Sequence, residues 1–347
     1  MSGRLRIDLG ALAGNYQMFR DAARPGRVAA VVKADGYGLG APELVRALWT
    51  AGCEDFFVAC AAEGVRLRRE LPDARIWVFE GALEDTVLDL LSSDLVPVLN
   101  HAAQLDLWRQ AAGGQAAAVH VDTGMHRLGF PDDVTSSDFR GVRVSLLVTH
   151  LACADDPEHP MNQLQLERLA RVRELFPGVP VSIGNSAGVL QGASFAGDLG
   201  RPGIGLYGGN PWLSTPSPVR PVVTLEGRIL QLRKVASGET IGYGASFTAA
   251  RPMEIAVVGV GYGDGLPRLL SNRGEAALDG RRCPIVGRVS MDLTTVDVTG
   301  LDARLDDWME FMGPTVLVDE VAAWAQTIPY EVLTGLGHRP AREYLHP

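Results

Sequence analysis

The sequence predicts an α/β protein in two parts: a parallel (β/α)8 TIM-type barrel over residues 1–220, then a mainly antiparallel β domain over 221–347. Three observations carry this. Between residues 27 and 207, eight short apolar runs recur at regular intervals with helical patterns between most of them, the rhythm of a parallel barrel. Four prolines cluster in 211–221, and beyond them short strand-like runs alternate with Gly, Pro and Asp turns. The alternative, a doubly wound open sheet, would call for Gly-x-Gly-x-x-Gly after the first run. The glycines at 36, 38 and 40 have a different spacing.

The barrel strands are expected at 28–33, 55–60, 75–79, 96–100, 117–122, 144–150, 181–185 and 198–201. The first of these is Val- and Ala-rich, as suits a strand buried on both faces. Apolar residues at helical spacing predict helices over 41–51, 82–91 and 161–176. In the second part, 222–232 begins as an apolar run and then alternates, and further strands are expected at 255–260, 276–278, 284–289 and 294–298. A helix over 319–325 and a second starting near Tyr330 would close the chain.

Composition narrows the function. The chain has 347 residues, is 46% hydrophobic and carries a net charge of −9, which disfavours nucleic acid and anionic membrane surfaces as partners. No run of 18 apolar residues predicts a membrane span, and the first residues carry no signal-peptide core. Cys53, Cys60, Cys153 and Cys283 show neither pairing nor metal spacing, so no metal is expected and the thiols read as reduced and buried in a cytoplasmic enzyme.

The first strand ends on Lys33, before Ala34-Asp35-Gly36-Tyr37-Gly38. A lysine at the end of a buried strand is poorly solvated, and its lowered pKa suits Schiff-base chemistry with pyridoxal 5′-phosphate (PLP). The competing reading is a strand-capping lysine that snorkels to water. Arg127, His150, Asn185-Ser186 and Arg201 also fall at or after strand C-termini, the end of a barrel that carries function. Asp35 reads as a turn residue, and His101, His159 and His346 as surface or loop residues.

With Val32-Lys33-Ala34-Asp35-Gly36-Tyr37-Gly38, Asp122-Thr123-Gly124-Met125 with Arg127, Thr149-His150, Asn185-Ser186-Ala187 and Arg201-Pro202-Gly203-Ile204, the chain resembles the alanine racemase family. Gly242-Tyr243-Gly244, Gly261-Tyr262-Gly263-Asp264-Gly265 and Gly287-Arg288-Val289-Ser290-Met291-Asp292 extend the resemblance through the second domain. It implies a PLP enzyme that interconverts L- and D-alanine, supplies D-alanine for peptidoglycan, and works as a homodimer in which the second domain completes the partner's site. Lys33 would hold PLP and act as the base for the D-enantiomer. Tyr243 of the second subunit would be the base for the L-enantiomer. Tyr37, Ser186, Gly203 and Ile204 would hold the phosphate, with Asn185 beside them. Arg201 would face the pyridine nitrogen, with His150 in the same network. Arg127 and the Met291 backbone would clamp the substrate carboxylate, and Tyr262 would line the entrance.

Three positions depart from the family pattern. His120 stands where many members have a lysine that becomes carbamylated, His126 where Gly or Asn is usual, and His338 where a tyrosine helps hold the phosphate. Arg201 at the ring position, with Cys283 outside the expected motif, argues against a decarboxylase of this architecture. The domain after residue 220 argues against a PLP carrier built from the barrel alone. Pocket size, and hence serine or a larger substrate, stays open.

Overall fold

The structure is a computed structural model and describes residues 2–212 and 216–346. The chain divides into a barrel unit, Leu12–Leu206 with Asn210–Pro218, and a sheet unit made of the residues up to Ala11, Tyr207–Gly209 and those from Val219 on. Residues 213–215, within the expected boundary, lie outside the described residues.

In the barrel unit, Ala30–Val31, Asp55–Val58, Arg75–Val78, Val96–Leu99, Ala116–His120, Arg143–Val148 and Val181–Ser182 form one parallel sheet in chain order. Leu199–Gly200 pairs in parallel with Arg27–Val28, and the ladder runs on through Ala29 N–H to Gly200 O (2.9 Å) and Val31 N–H to Pro202 O (3.0 Å). The first and last strands therefore meet and remove the open edges. All four residues of Asp55–Val58 are buried, including Asp55, whose carboxylate receives Arg27 (2.7 Å), Arg75 (3.1 Å) and the Trp77 indole N–H (3.0 Å). A buried carboxylate is tolerated because these donors compensate its lost hydration.

Of the expected helices, 41–51 is observed as Ala41–Thr50 and 161–176 as Pro160–Arg173, which His159 caps by accepting from Met161 N–H. The helix expected over 82–91 shrinks to Val87–Ser92, because Thr86 N–H folds back to Leu83 O in a tight turn. The cysteines are all free, but only Cys53 and Cys283 are buried; Cys60 and Cys153 lie in connections after strands and are partly exposed.

The sheet unit is built around one long strand, Val223–Val235, whose first half alternates buried and half-buried residues as a one-sided sheet requires. It pairs antiparallel with Gly3–Asp8, Trp308–Met312 and Met253–Val258. The assignment of residues 1–220 to the barrel therefore fails at its start. Gly3–Asp8 alternates Leu5 and Ile7, both fully buried, with Arg4 and Arg6, a pattern made for a half-solvated antiparallel sheet. Ala341–Leu345 adds to it in parallel. The strand expected at 284–289 is also displaced: Arg281–Pro284 is the strand, Ile285 keeps one bridge to Val296, and Gly287 turns the chain at φ 81°. The closing helices are Val318–Trp324 and Pro329–Thr334. Among the described residues, no helix is long and apolar enough to cross a membrane.

Candidate active site

Lys33, His150, Asn185 and Arg201 all lie just beyond the C-terminal ends of barrel strands. After Lys33 the backbone enters an unusual conformation. Ala34, Asp35, Gly36 and Tyr37 have φ of 54°, 55°, 63° and 59°, a left-handed turn closed by Gly38 N–H on Ala34 O. For residues with a Cβ this conformation costs about 1–2 kcal/mol each, so the surroundings must impose it. Asp35 does so from one side: its carboxylate accepts from Ala41 N–H at 2.8 Å, the role of a turn residue. Glu63 does so from the other, accepting from Ala34 N–H (2.8 Å) and Ala59 N–H (2.9 Å) and so tying the ends of the first two strands together.

Lys33 faces solvent on one side, while its ammonium lies 5.8 Å from the centre of the Phe79 ring. Its pKa is lowered, first by burial and then by the Arg127 guanidinium, with Glu63 opposing. Arg201 is 3% exposed. It donates to Ser182 Oγ (2.6 Å), Thr149 O (2.7 Å) and Ile183 O (3.1 Å), and Nη2 reaches His150 Nδ1 at 3.4 Å. Its Nε–H finds no acceptor among the described residues. Burial pushes its pKa down to about 9, which still leaves it charged at neutral pH. Burial and the cations Arg201 and Arg127 hold His150 well below the usual histidine range, so it is neutral. Because the guanidinium can only donate, His150 Nδ1 accepts and the ring proton sits on Nε2.

His120 is fixed in the same way. Asn100 Nδ2 donates to Val98 O (2.8 Å) and Phe79 O (3.0 Å), which leaves Asn100 Oδ1 to accept from His120 Nδ1–H at 2.8 Å. Burial, then Arg201, lowers the His120 pKa to about 4. The position of the expected carbamylated lysine is thus held by a neutral imidazole. Arg127 is exposed and makes no ion pair among the described residues. Asp122 shapes its loop by accepting from Gly124 and Met125 N–H.

Ser186, Gly203 and Tyr37 converge next to this cluster. Ser186 Oγ accepts from Gly203 N–H (2.9 Å) and Gly205 N–H (3.1 Å), which leaves its own hydroxyl hydrogen to donate outward. A Cβ on Gly203 would lie 2.2 Å from the Tyr37 hydroxyl, so only glycine admits that hydroxyl here. Asn185 contributes by position: its side chain caps Ser186–Leu190 by accepting from Gly188 N–H. Ile204 opens the turn that follows, and its N–H donates to no described residue. Hydroxyls and backbone N–H groups gathered at strand ends suit a phosphate. The Arg201 Nε–H suits a ring nitrogen that accepts, so the residues fit PLP.

In the sheet unit, Tyr243, Tyr262 and Met291 lie on three turns and are 72%, 43% and 53% exposed. His338 is exposed as well, on the segment whose Gly337 N–H bonds Asp264 O.

The chain matches both domains of one family: alanine racemase, N-terminal domain, over residues 7–211, and alanine racemase, C-terminal domain, over 222–344. It belongs to the alanine racemase family. It is 46% identical to the alanine racemase of Rhodospirillum rubrum, over 98% of this chain and 95% of that one. Relatives in Agrobacterium fabrum described as biosynthetic and as catabolic are 44% and 42% identical, over 99% and 100% of this chain and 93% of each of theirs. The alanine racemase of Bartonella henselae, solved with covalently bound pyridoxal phosphate, superposes with a TM-score of 0.93 at 36% identity, covering 99% of this chain and all of that one.

Sequence reasoning missed Glu63, Asn100 and Arg339, and quoted Asp264 only as part of a motif, with no role. Glu63 left one signal, an acid in the first turn of the helix Ala61–Glu70 directly after a strand.

Proposed function

We propose that this chain carries out the family's reaction, interconverting L- and D-alanine with PLP, by a two-base mechanism in a site shared between two copies. The observation that supports sharing is the contrast in exposure. The barrel buries Arg201, Ser186, Tyr37 and Ile204, whereas Tyr243 and Met291 stand in solvent on turns of the other unit. Large side chains left exposed on adjoining turns are what a partner surface covers. A second copy supplies that surface twice over, in a two-fold dimer.

Bound through Lys33, PLP supplies the electron sink that makes the Cα proton of alanine removable. Tyr37, Ser186, Gly203 and Ile204 would hold its phosphate, with Asn185 fixing the Ser186 turn. Arg201 would donate to its ring nitrogen and, with a pKa far above that of the ring, keep its own proton. A donor of this kind weakens the sink compared with a carboxylate partner and so discourages side reactions. Lys33, with its lowered pKa, exchanges a proton on one face of Cα. Tyr243 of the second copy exchanges a proton on the other. His150 is neutral, with its proton on Nε2, and can donate to the phenolate that Tyr243 becomes. Arg127 and the Met291 N–H take the substrate carboxylate, and Tyr262 lines the entrance. Supply of D-alanine for peptidoglycan, in the cytoplasm, is the role that this reading gives the product.

The test is isotope exchange at Cα. Replacing Tyr243→Phe should slow exchange from L-alanine by about 10²–10⁴-fold, the usual worth of a general base, and exchange from D-alanine far less. Equal losses for both enantiomers contradict the face assignment.

A further inference from the structure

We propose that Arg339 is a positioning residue that fixes the Met291 N–H for the substrate carboxylate. This rests on the carboxylate role given to Met291 above. Arg339 holds three groups at once. Its Nε and Nη2 donate to both oxygens of Asp264 at 2.6 Å, its Nη1 donates to Asp292 Oδ1 at 2.5 Å, and Nη2 also reaches Met291 O at 3.1 Å. Asp264 is 3% exposed and in turn accepts from Gly261 N–H at 2.9 Å, closing the turn that carries Tyr262.

The same turn grips the Met291 segment directly. Gly263 N–H donates to Met291 O (2.8 Å), and Tyr262 N–H donates to Ser290 O (2.9 Å). Gly261 packs so closely that a Cβ there would sit 2.3 Å from Ser290 O and 2.5 Å from Met291 O. Two consecutive carbonyls, Ser290 and Met291, are therefore pulled toward the Tyr262 turn. The Ser290–Met291 peptide is planar and trans, so the Met291 N–H points opposite to the Ser290 carbonyl. That N–H faces away from the turn and donates to no described residue. The guanidinium thus links a buried carboxylate to an outward-facing donor, and the fork geometry that reaches three acceptors is one a lysine lacks.

The test uses the holoenzyme of an Arg339→Lys variant, which keeps a cation beside Asp264 and so protects the fold, with thermal melting as the check. The expected result is a KM for both L- and D-alanine raised about tenfold with kcat within about threefold. That pattern marks lost uniform binding of a group that both enantiomers share, and tenfold is the low end for a hydrogen bond to a charged group. Ethylamine, which is alanine without the carboxylate, should perturb the cofactor absorbance at an unchanged half-saturating concentration. An unchanged alanine KM in the folded variant overturns the role of Arg339. Equal weakening for alanine and ethylamine overturns the carboxylate role of Met291 instead, and the proposal with it.

Discussion

Arg201 in the barrel is 3% exposed and directs its guanidinium at Ser182, Thr149, Ile183 and His150, while Tyr243 in the sheet unit is 72% exposed. The barrel fixes its groups within a single chain, through strand ends, a strained left-handed turn and carboxylate clamps. In the sheet unit, Asp264 and Arg339 hold the backbone of the Tyr262 and Met291 turns, while the side chains of Tyr243, Tyr262 and Met291 stay exposed. The difference teaches that one chain by itself buries and hydrogen-bonds groups proposed for the cofactor, whereas Tyr243, Tyr262 and Met291 stay uncovered, as the proposed shared site requires.

The largest expected effect breaks the barrel side. A Lys33→Ala chain should lose racemisation by on the order of 10⁴-fold or more, since it removes a base together with the covalent attachment. Borohydride treatment of the unaltered enzyme should fix the cofactor on Lys33 alone. Label recovered on Lys234, the chain's other lysine, would move the site away from the barrel mouth.

A smaller effect probes how tightly the barrel is built. Gly203→Ala puts a methyl where the Tyr37 hydroxyl sits. PLP affinity, measured by equilibrium dialysis, should fall by about tenfold, the equivalent of one displaced hydrogen bond. Unchanged affinity would mean that the Tyr37–Gly203 contact does not bear on the phosphate.

Much of the barrel was legible because parallel strands announce themselves as apolar runs and because their C-terminal ends collect function. Lys33, His150 and Arg201 stood out by falling where such runs stop. The N-terminal strand was not legible as part of the other unit. Leu5 and Ile7 alternate with arginines, which marks a one-sided strand, but its partner Val223–Val235 lies far along the chain. Glu63, Asn100 and Arg339 were missed for a related reason. Each acts through backbone groups or a neighbouring side chain, and nothing in a Glu, Asn or Arg taken alone says which amide or carbonyl it meets. The segment 284–289 misled because its apolar residues are buried around a turn at Gly287 rather than along a strand.

The smallest effect is a pH dependence peculiar to the barrel. His120, buried beside Arg201 and Arg127, has its pKa lowered to about 4 from an ordinary 6.5. Between those values the unfolded chain binds a proton that the folded chain refuses. The stability contribution is thus complete above about pH 6.5 and is lost as the pH falls toward 4. His150 is shifted in the same direction and adds to the slope. Melting temperature should decline through that window, and His120→Gln should make the decline shallower. A His120→Gln profile parallel to that of the unaltered chain would show that His120 does not titrate in this way.

The shared site is tested most directly by co-expressing a Lys33→Ala chain with a Tyr243→Phe chain and purifying the mixed dimer. If each site takes Lys33 from one copy and Tyr243 from the other, one of the two sites in a mixed dimer has both bases intact. Racemisation should then return to about half the activity of the unaltered enzyme, far above either parent. A verified mixed dimer no more active than its parents would show that both bases come from one chain, and would contradict the account.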